Sequence, residues 1–143
     1  MLRSSALLLA LLILAVPGRV VADDDIDLFD GRRQAVAYIA SDADLTIYLW
    51  SGKPVAYLEG EDIYGFNGKH LGWFLHGVVY DPDGHIVAAV PEAFKSPVAP
   101  PPFKAFKQFR PFKAFKEFKP FRPFLSKTWS SMLAKVFFLQ GAS

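Results

Sequence analysis

Phe103, Phe106, Phe109, Phe112, Phe115, Phe118, Phe121 and Phe124 occupy every third position of one segment without a miss. A cation follows each of the first seven: Lys104, Lys107, Arg110, Lys113, Lys116, Lys119 and Arg122. The third positions hold Ala105, Gln108, Pro111, Ala114, Glu117, Pro120 and Pro123. A strict period of three excludes most backbones. On an α-helix a three-residue step falls about 60° short of a turn, so the rings would smear around the cylinder. On a strand they would alternate faces. A 3-10 helix has the period, but long runs are uncommon and the prolines lack donors. Polyproline II has three residues per turn and sets every ring on one edge and every cation on the next. The spacing predicts an extended amphipathic rod, roughly 68 Å from Phe103 to Phe124 at about 3.1 Å per residue, or a chain that takes this form on binding. These ring and cation side chains are the candidate binding residues.

Burying one phenylalanine stabilises by about 1.5–3 kcal/mol, against an ordering cost of roughly 1–2 kcal/mol per residue. Ordering the set is favourable only if most rings are buried together. Three surfaces are open to them: grooves of the chain's own β domain, a neighbouring copy, or an external surface. An anionic lipid or envelope surface suits the last, since cations meet head groups while rings enter the interface. Nucleic acid would use the same charge and stacking, but export argues against it.

Export is read from residues 1–22. Arg3 is a short basic start, Ala6–Val16 is an uncharged run of 11 residues, and Val20-Val21-Ala22 is a small-residue cleavage site ahead of Asp23-Asp24-Asp25. That is the pattern of a secretory signal peptide. The competing reading, a membrane anchor, needs roughly 20 apolar residues, and Pro17, Gly18 and Arg19 cut this run short. The expected location is periplasmic or extracellular after cleavage near Ala22. The formal charge of +2 then conceals a split. Asp23–Phe94 carries 13 acidic and four basic residues, while Lys95–Ser143 carries ten basic residues and only Glu117. The halves differ in sign with a surplus of nine charges each. A basic half of this kind seeks an anionic partner, and the nearest is the chain's own acidic half. The absence of cysteine excludes disulfides, thiolate zinc sites and a cysteine nucleophile.

Ahead of the triplets lies a second internal repeat. Leu28–Ile39, Ile47–Leu58, Ile63–Phe74 and Val78–Val90 line up as strand, tight turn, strand. Gly52, Gly68 and Gly84 follow one another at intervals of 16 residues. Asn67-Gly68 and Asp83-Gly84 signal two-residue hairpin turns, which need positive φ. Arg33 stands where the other three segments have glycine, so the first turn is expected to be strained or differently shaped. Ala37, Ala56, Gly72 and Ala88 recur two positions before each segment's end, as close-approach points near a common axis. The expected fold is all-β: four short hairpins arranged radially, with an extended tail and a short C-terminal helix. So small a β domain is marginal alone and risks open edges, so it needs help from the tail or a second copy.

Pro54-Val55-Ala56-Tyr57-Leu58 followed by Ile63-Tyr64-Gly65-Phe66-Asn67-Gly68-Lys69-His70-Leu71-Gly72-Trp73-Phe74 resembles the bacterial four-fold beta-flower domain family. The likeness covers about Leu28 to Val90. It implies four β-hairpins set like petals, and it implies no activity, substrate or catalytic residue.

Ser126–Gln140 reads as a helix, with Ser126 as N-cap and Gly141 as stop. Trp129, Met132, Leu133, Val136 and Phe137 supply its apolar stripe. His70, His76 and His85 fit no zinc spacing; His70 and His85 stand just after turn glycines and are expected at exposed tips. The run Asp23–Asp27 lacks the turn and spaced ligands of a calcium loop and is expected to be solvated. Asp81-Pro82-Asp83-Gly84 serves as a turn. No nucleophile elbow or phosphate loop is present. The organisation expected is a signal peptide at 1–22, a four-hairpin domain at 23–94, a proline-rich triplet tail at 95–125 and an amphipathic helix at 126–143. The function expected is a non-enzymatic interaction module, without metal or cofactor, whose cationic aromatic tail engages an anionic envelope component. The alternative is a self-assembling structural protein, a homo-oligomer whose tail packs on its own or a neighbouring β domain.

Overall fold

In the computed structural model, which describes residues 24–142, each repeat segment folds as an antiparallel hairpin. The pairs are β1 (Ile26–Phe29) with β2 (Ala35–Ile39), β3 (Thr46–Leu49) with β4 (Pro54–Glu59), β5 (Asp62–Gly65) with β6 (His70–Leu75), and β7 (Val78–Tyr80) with β8 (Ile86–Ala89). Successive hairpins pair in turn, and Phe29 meets Ala89 to close the barrel. Closure removes the free edges that short sheets otherwise expose. The signal-peptide reading of residues 1–22 lies outside the described residues. Among the latter no helix is long and apolar enough to cross a membrane.

The fourfold likeness extends to details. Each hairpin has a bulge at the same point, Leu28/Phe29, Ile47/Tyr48, Ile63/Tyr64 and Val79/Tyr80. Each tip closes with the same bond, from the N–H of Asp30, Leu49, Gly65 or Asp81 to the carbonyl of Gln34, Lys53, Lys69 or His85. Gly52, Gly68 and Gly84 are left-handed, with φ of 90°, 88° and 84°. Asn67 and Asp83 are not among the positive-φ residues. The tips are therefore not the two-residue turns that the dipeptides suggest, but longer loops closed by a glycine bulge. Arg33 has φ 61°, so the first turn keeps the common shape and carries a strain of roughly 1–2 kcal/mol.

Strand alternation divides the side chains into two layers. Leu28, Ala37, Ile39, Ile47, Leu49, Ile63 and Val79 fill the interior, while Tyr38 with Tyr48, and Tyr57 with Tyr64, form separate outer clusters. The interior is completed by a plug. Helix α1 (Ala134–Leu139) packs against β2, β4 and β8, and its Phe137 and Phe138 are fully buried. The small residues make room for it: Ala37, Ala56 and Ala88 line the same cluster, and a Cβ on Gly72 would overlap the Tyr80 carbonyl and meet the Phe137 ring at 3.2 Å.

The helix is six residues long, with Leu133 rather than Ser126 as its N-cap. Competition for backbone bonds explains the shortening from Ser126–Gln140. Ile86 donates its N–H to the Thr128 carbonyl and accepts from the Ser130 N–H, which holds Trp129 in a parallel bridge beside β8. Of the expected stripe only Phe137 is buried, and Leu133 is 69% exposed.

Candidate functional site

From residue 97 to 126 the chain is neither helix nor strand. It runs as a strap over the four hairpin tips. The N–H groups of Ala99, Gln108, Glu117 and Ser126 donate to the carbonyls of Arg33, Gly52, Gly68 and Gly84, each at 2.9 Å. These donors are nine residues apart, and the acceptors are the left-handed residues of the four tips. Ala105 and Ala114 add bonds to Trp50 (3.2 Å) and Phe66 (2.8 Å). Pro102, Pro111 and Pro120 share the nine-residue interval at a phase where a missing donor costs none of these bonds. A Cβ on Gly52, Gly68 or Gly84 would overlap the carbonyl of Phe106, Phe115 or Phe124. At these three tips glycine serves both the turn and the close approach of the strap, whereas at the first tip Arg33 takes the left-handed shape and its carbonyl accepts the Ala99 N–H.

The cation edge faces the barrel. Lys104 lies 2.8 Å from Asp27 and 3.4 Å from Asp25, so these two members of the acidic run are paired rather than solvated as expected, while Asp24 is exposed. Arg110 reaches Asp44 at 2.8 Å and Asp42 at 3.6 Å, and Lys113 reaches Asp44 at 2.8 Å. Lys116 pairs with Glu59. Lys119 pairs with Asp62 at 3.2 Å, and Arg122 with Glu61 at 3.0 Å. The ammonium groups also sit over the outer tyrosines, Lys104 at 4.5 Å from the Tyr38 centroid and Lys113 at 4.2 Å from that of Tyr57. Lys107 lies over Tyr38 and Tyr48. Cations over aromatic faces are attracted by the ring quadrupole. Half-exposed pairs are individually weak and screened by salt, so their number and spacing hold the strap.

The pairing shifts the groups involved. Lys113, hydrogen-bonded to Asp44 and close to it, holds that carboxyl below its ordinary value against the opposing effect of burial, and Arg110 assists. Burial pushes Asp62 up, but hydrogen bonds from His70 and Lys119 outweigh it and leave the carboxyl lowered. The bond to Glu59 raises Lys116. Burial raises the phenols of Tyr48, Tyr57 and Tyr64, which stay neutral under the cations.

The phenylalanine edge faces away. The eight rings are 97–102% exposed, so of the three surfaces open to them the grooves of the chain's own β domain do not take them. The physical reason is a contest between two edges of one rod. The grooves are floored by tyrosines and rimmed by carboxylates, so they take the cations, and threefold geometry then turns every ring outward.

His70 also departs from expectation. It is buried, with Nε2 2.9 Å from Asp62 Oδ1 and its ring against Tyr64 and Trp73. Its backbone N–H donates to Glu117 Oε1 at 2.7 Å, which keys Glu117 to the third hairpin. Asp81, Asp83 and His85 bring ligand atoms within 4.8 Å of one another, but Asp81 Oδ1 accepts the N–H groups of Asp83 and His85 and so organises the turn. A cavity of about 310 Å³ opens between the first tip and the strap's end, lined by Gly31, Arg32, Trp129 and Lys135 among others. Gly31 and Phe94 both lie against the Trp129 indole, so this wall is packed within the fold.

A signal for the strap's register is present in the sequence beneath the triplets. Phe103–Pro111 and Phe112–Pro120 are two copies of one nonapeptide, differing only at Gln108/Glu117 and Arg110/Lys119, and Phe94-Lys95 with Pro102 begins an earlier copy. A reading at period three conceals this period of nine. Each hairpin tip binds one such unit.

A family model described as 4-fold beta flower protein matches residues 26–138. No curated protein and no solved structure matches the chain. The family match extends well beyond the Leu28–Val90 likeness legible in the hairpins and takes in the strap.

Proposed function

Because the chain belongs to the 4-fold beta flower family, through a match that runs from the first strand into the plug helix, we propose that barrel, strap and plug act as one unit: an exported, non-catalytic interaction module that presents a phenylalanine ridge to a partner in the cell envelope. The observation that carries this reading is the near-complete exposure of eight rings beside cations that all face the barrel. At about 150–250 Å² per ring the eight rings together offer roughly 1,200–2,000 Å², spread along the strap over the four tips. Apolar side chains gathered in this number on one edge mark a docking surface. The contact is apolar rather than ionic, because an anionic head group would have to displace the barrel's own carboxylates. Export is supported by the residue pattern of 1–22 and the non-catalytic reading by the lack of a recognisable nucleophile or phosphate motif.

The test is a fourfold variant, Phe106→Ser, Phe109→Ser, Phe115→Ser and Phe118→Ser, compared with the intact protein for retention on a phenyl matrix and for bis-ANS fluorescence. The intact protein is expected to be retained and to enhance the dye, and the variant to lose both. The urea midpoint should move little, since exposed substitutions lie within about 0.5 kcal/mol. An intact protein that passes the matrix unretained would end the docking reading.

A further inference from the structure

We propose that the tip end of the barrel seats on an anionic lipid bilayer, with the strap's rings in the interfacial layer and a separate set of cations on the head groups; the inference rests on the docking reading above. Three observations select this occupant. The first is placement. Consecutive antiparallel strands around a closed barrel put all four hairpin tips at one end. The strap is bonded to each tip, so its rings rim that end from the first tip to the fourth. The second is isolation. Rings that are 97–102% exposed touch no neighbour, and along a polyproline II rod they stand roughly 9.3 Å apart. A folded partner would need a separate pocket for each ring around the rim, whereas fluid acyl chains close round every one. The third is charge. The four basic residues of Asp23–Phe94 all lie at tips, Arg32 and Arg33 on the first, Lys53 on the second and Lys69 on the third. Lys127 stands beside the fourth, next to the bonded Ser126. All five are exposed, and among the described residues no carboxylate pairs with any of them. The tips carry three acids, Asp30, Asp81 and Asp83, of which the first two accept N–H groups of their own turns. Asp42, Asp44, Glu59 and Glu61 lie in connections at the opposite end, where the strap's cations take them. Head groups at the tip end therefore meet cations that have no carboxylate to leave.

Flotation on residues 23–143, the span that holds every described element, compares vesicles of phosphatidylcholine alone with vesicles of equal parts phosphatidylcholine and phosphatidylglycerol. The intact protein is expected to float with the mixed vesicles and far less with phosphatidylcholine, and raised salt should release it. A cation near an anionic surface adds about fivefold in affinity. Arg32→Gln, Lys53→Gln and Lys69→Gln combined should therefore weaken partition by roughly a hundredfold and leave retention on the phenyl matrix unchanged. An environment-sensitive dye on Ser51→Cys, at the second tip, should shift to the blue on binding, and one on Ser41→Cys, at the opposite end, should not. Retention on the phenyl matrix without flotation would overturn the bilayer and leave the docking reading standing. A protein that neither floats nor binds the matrix would overturn both. Equal flotation on the two kinds of vesicle, flotation indifferent to salt, or equal dye shifts at the two ends would refute seating through the tip cations.

Discussion

Replacing Gly68 with alanine tests the strap's grip at a single point, and Gly60 supplies the control. Gly68 has φ 88° and its added Cβ would overlap the Phe115 carbonyl; Gly60 has φ 62° and open space around the same position. Both substitutions place alanine in the left-handed region at roughly 1–2 kcal/mol. Only Gly68→Ala must also lift the strap from the third tip. Lifting breaks Ala114 to Phe66 (2.8 Å), Glu117 to Gly68 (2.9 Å) and His70 to Glu117 (2.7 Å). Two ordinary bonds at about 0.5–1.5 kcal/mol and one to a charged acceptor at about 1.5–3 kcal/mol sum to roughly 2.5–6 kcal/mol. Against a total stability on the order of 5–15 kcal/mol, the difference is readily measured. Urea unfolding followed by tryptophan fluorescence gives the global cost, and tryptic cleavage after Lys113 and Lys116 reports local peeling. Gly68→Ala should unfold earlier than Gly60→Ala by at least about 2.5 kcal/mol, the lower end of that sum, and be cleaved faster. Equal midpoints and equal cleavage would refute the seating of the strap on the tip.

Two further outcomes follow from the strap's chemistry. Glu117→Ala leaves the His70 N–H without its acceptor and should cost about 1–3 kcal/mol in urea unfolding. Gln108→Ala, on the hairpin where Pro54 has no N–H to satisfy, should cost under about 0.5 kcal/mol, and equal costs would contradict the keying of Glu117 to the third hairpin. Asp44 and Asp62 titrate below their ordinary values in the folded chain. Their contribution is therefore present above the unfolded carboxylate value of about 3.9 and is lost as pH falls through the folded values. Thermal melts by tyrosine near-UV circular dichroism should hold steady from neutral pH to about 4 and decline only below it; a decline beginning above pH 5 would count against these pairs.

The hairpins were legible because their determinants are local. Alternating aromatic and β-branched residues, with glycine at the tips, specify strand and turn without reference to distant residues, and the four segments carry the pattern in register. The exact turn was less legible: Asn67-Gly68 reads as a two-residue turn, but the bulge at Ile63/Tyr64 lengthens the loop. The C-terminal helix was overextended because its stripe competes with a nonlocal bond, the pairing of Ile86 with Thr128 and Ser130. The burial of His70 depends likewise on Asp62 and Trp73 closing over it. In the strap, period three separated ring and cation edges correctly in principle, since that follows from backbone geometry alone. Which edge meets the barrel depends on where Tyr38, Tyr57, Asp44 and Asp62 sit after folding. The nonapeptide was present throughout, but its meaning requires the distance between adjacent hairpin tips, which only the closed barrel supplies.

Residue-resolved amide hydrogen exchange across 97–126 tests the strap most directly. The slow amides should be those of Ala99, Ala105, Gln108, Ala114, Glu117 and Ser126, separated by rapidly exchanging phenylalanine, lysine and arginine amides. Uniformly fast exchange, or an unbroken protected run of helical type, would contradict a threefold rod seated on four hairpin tips.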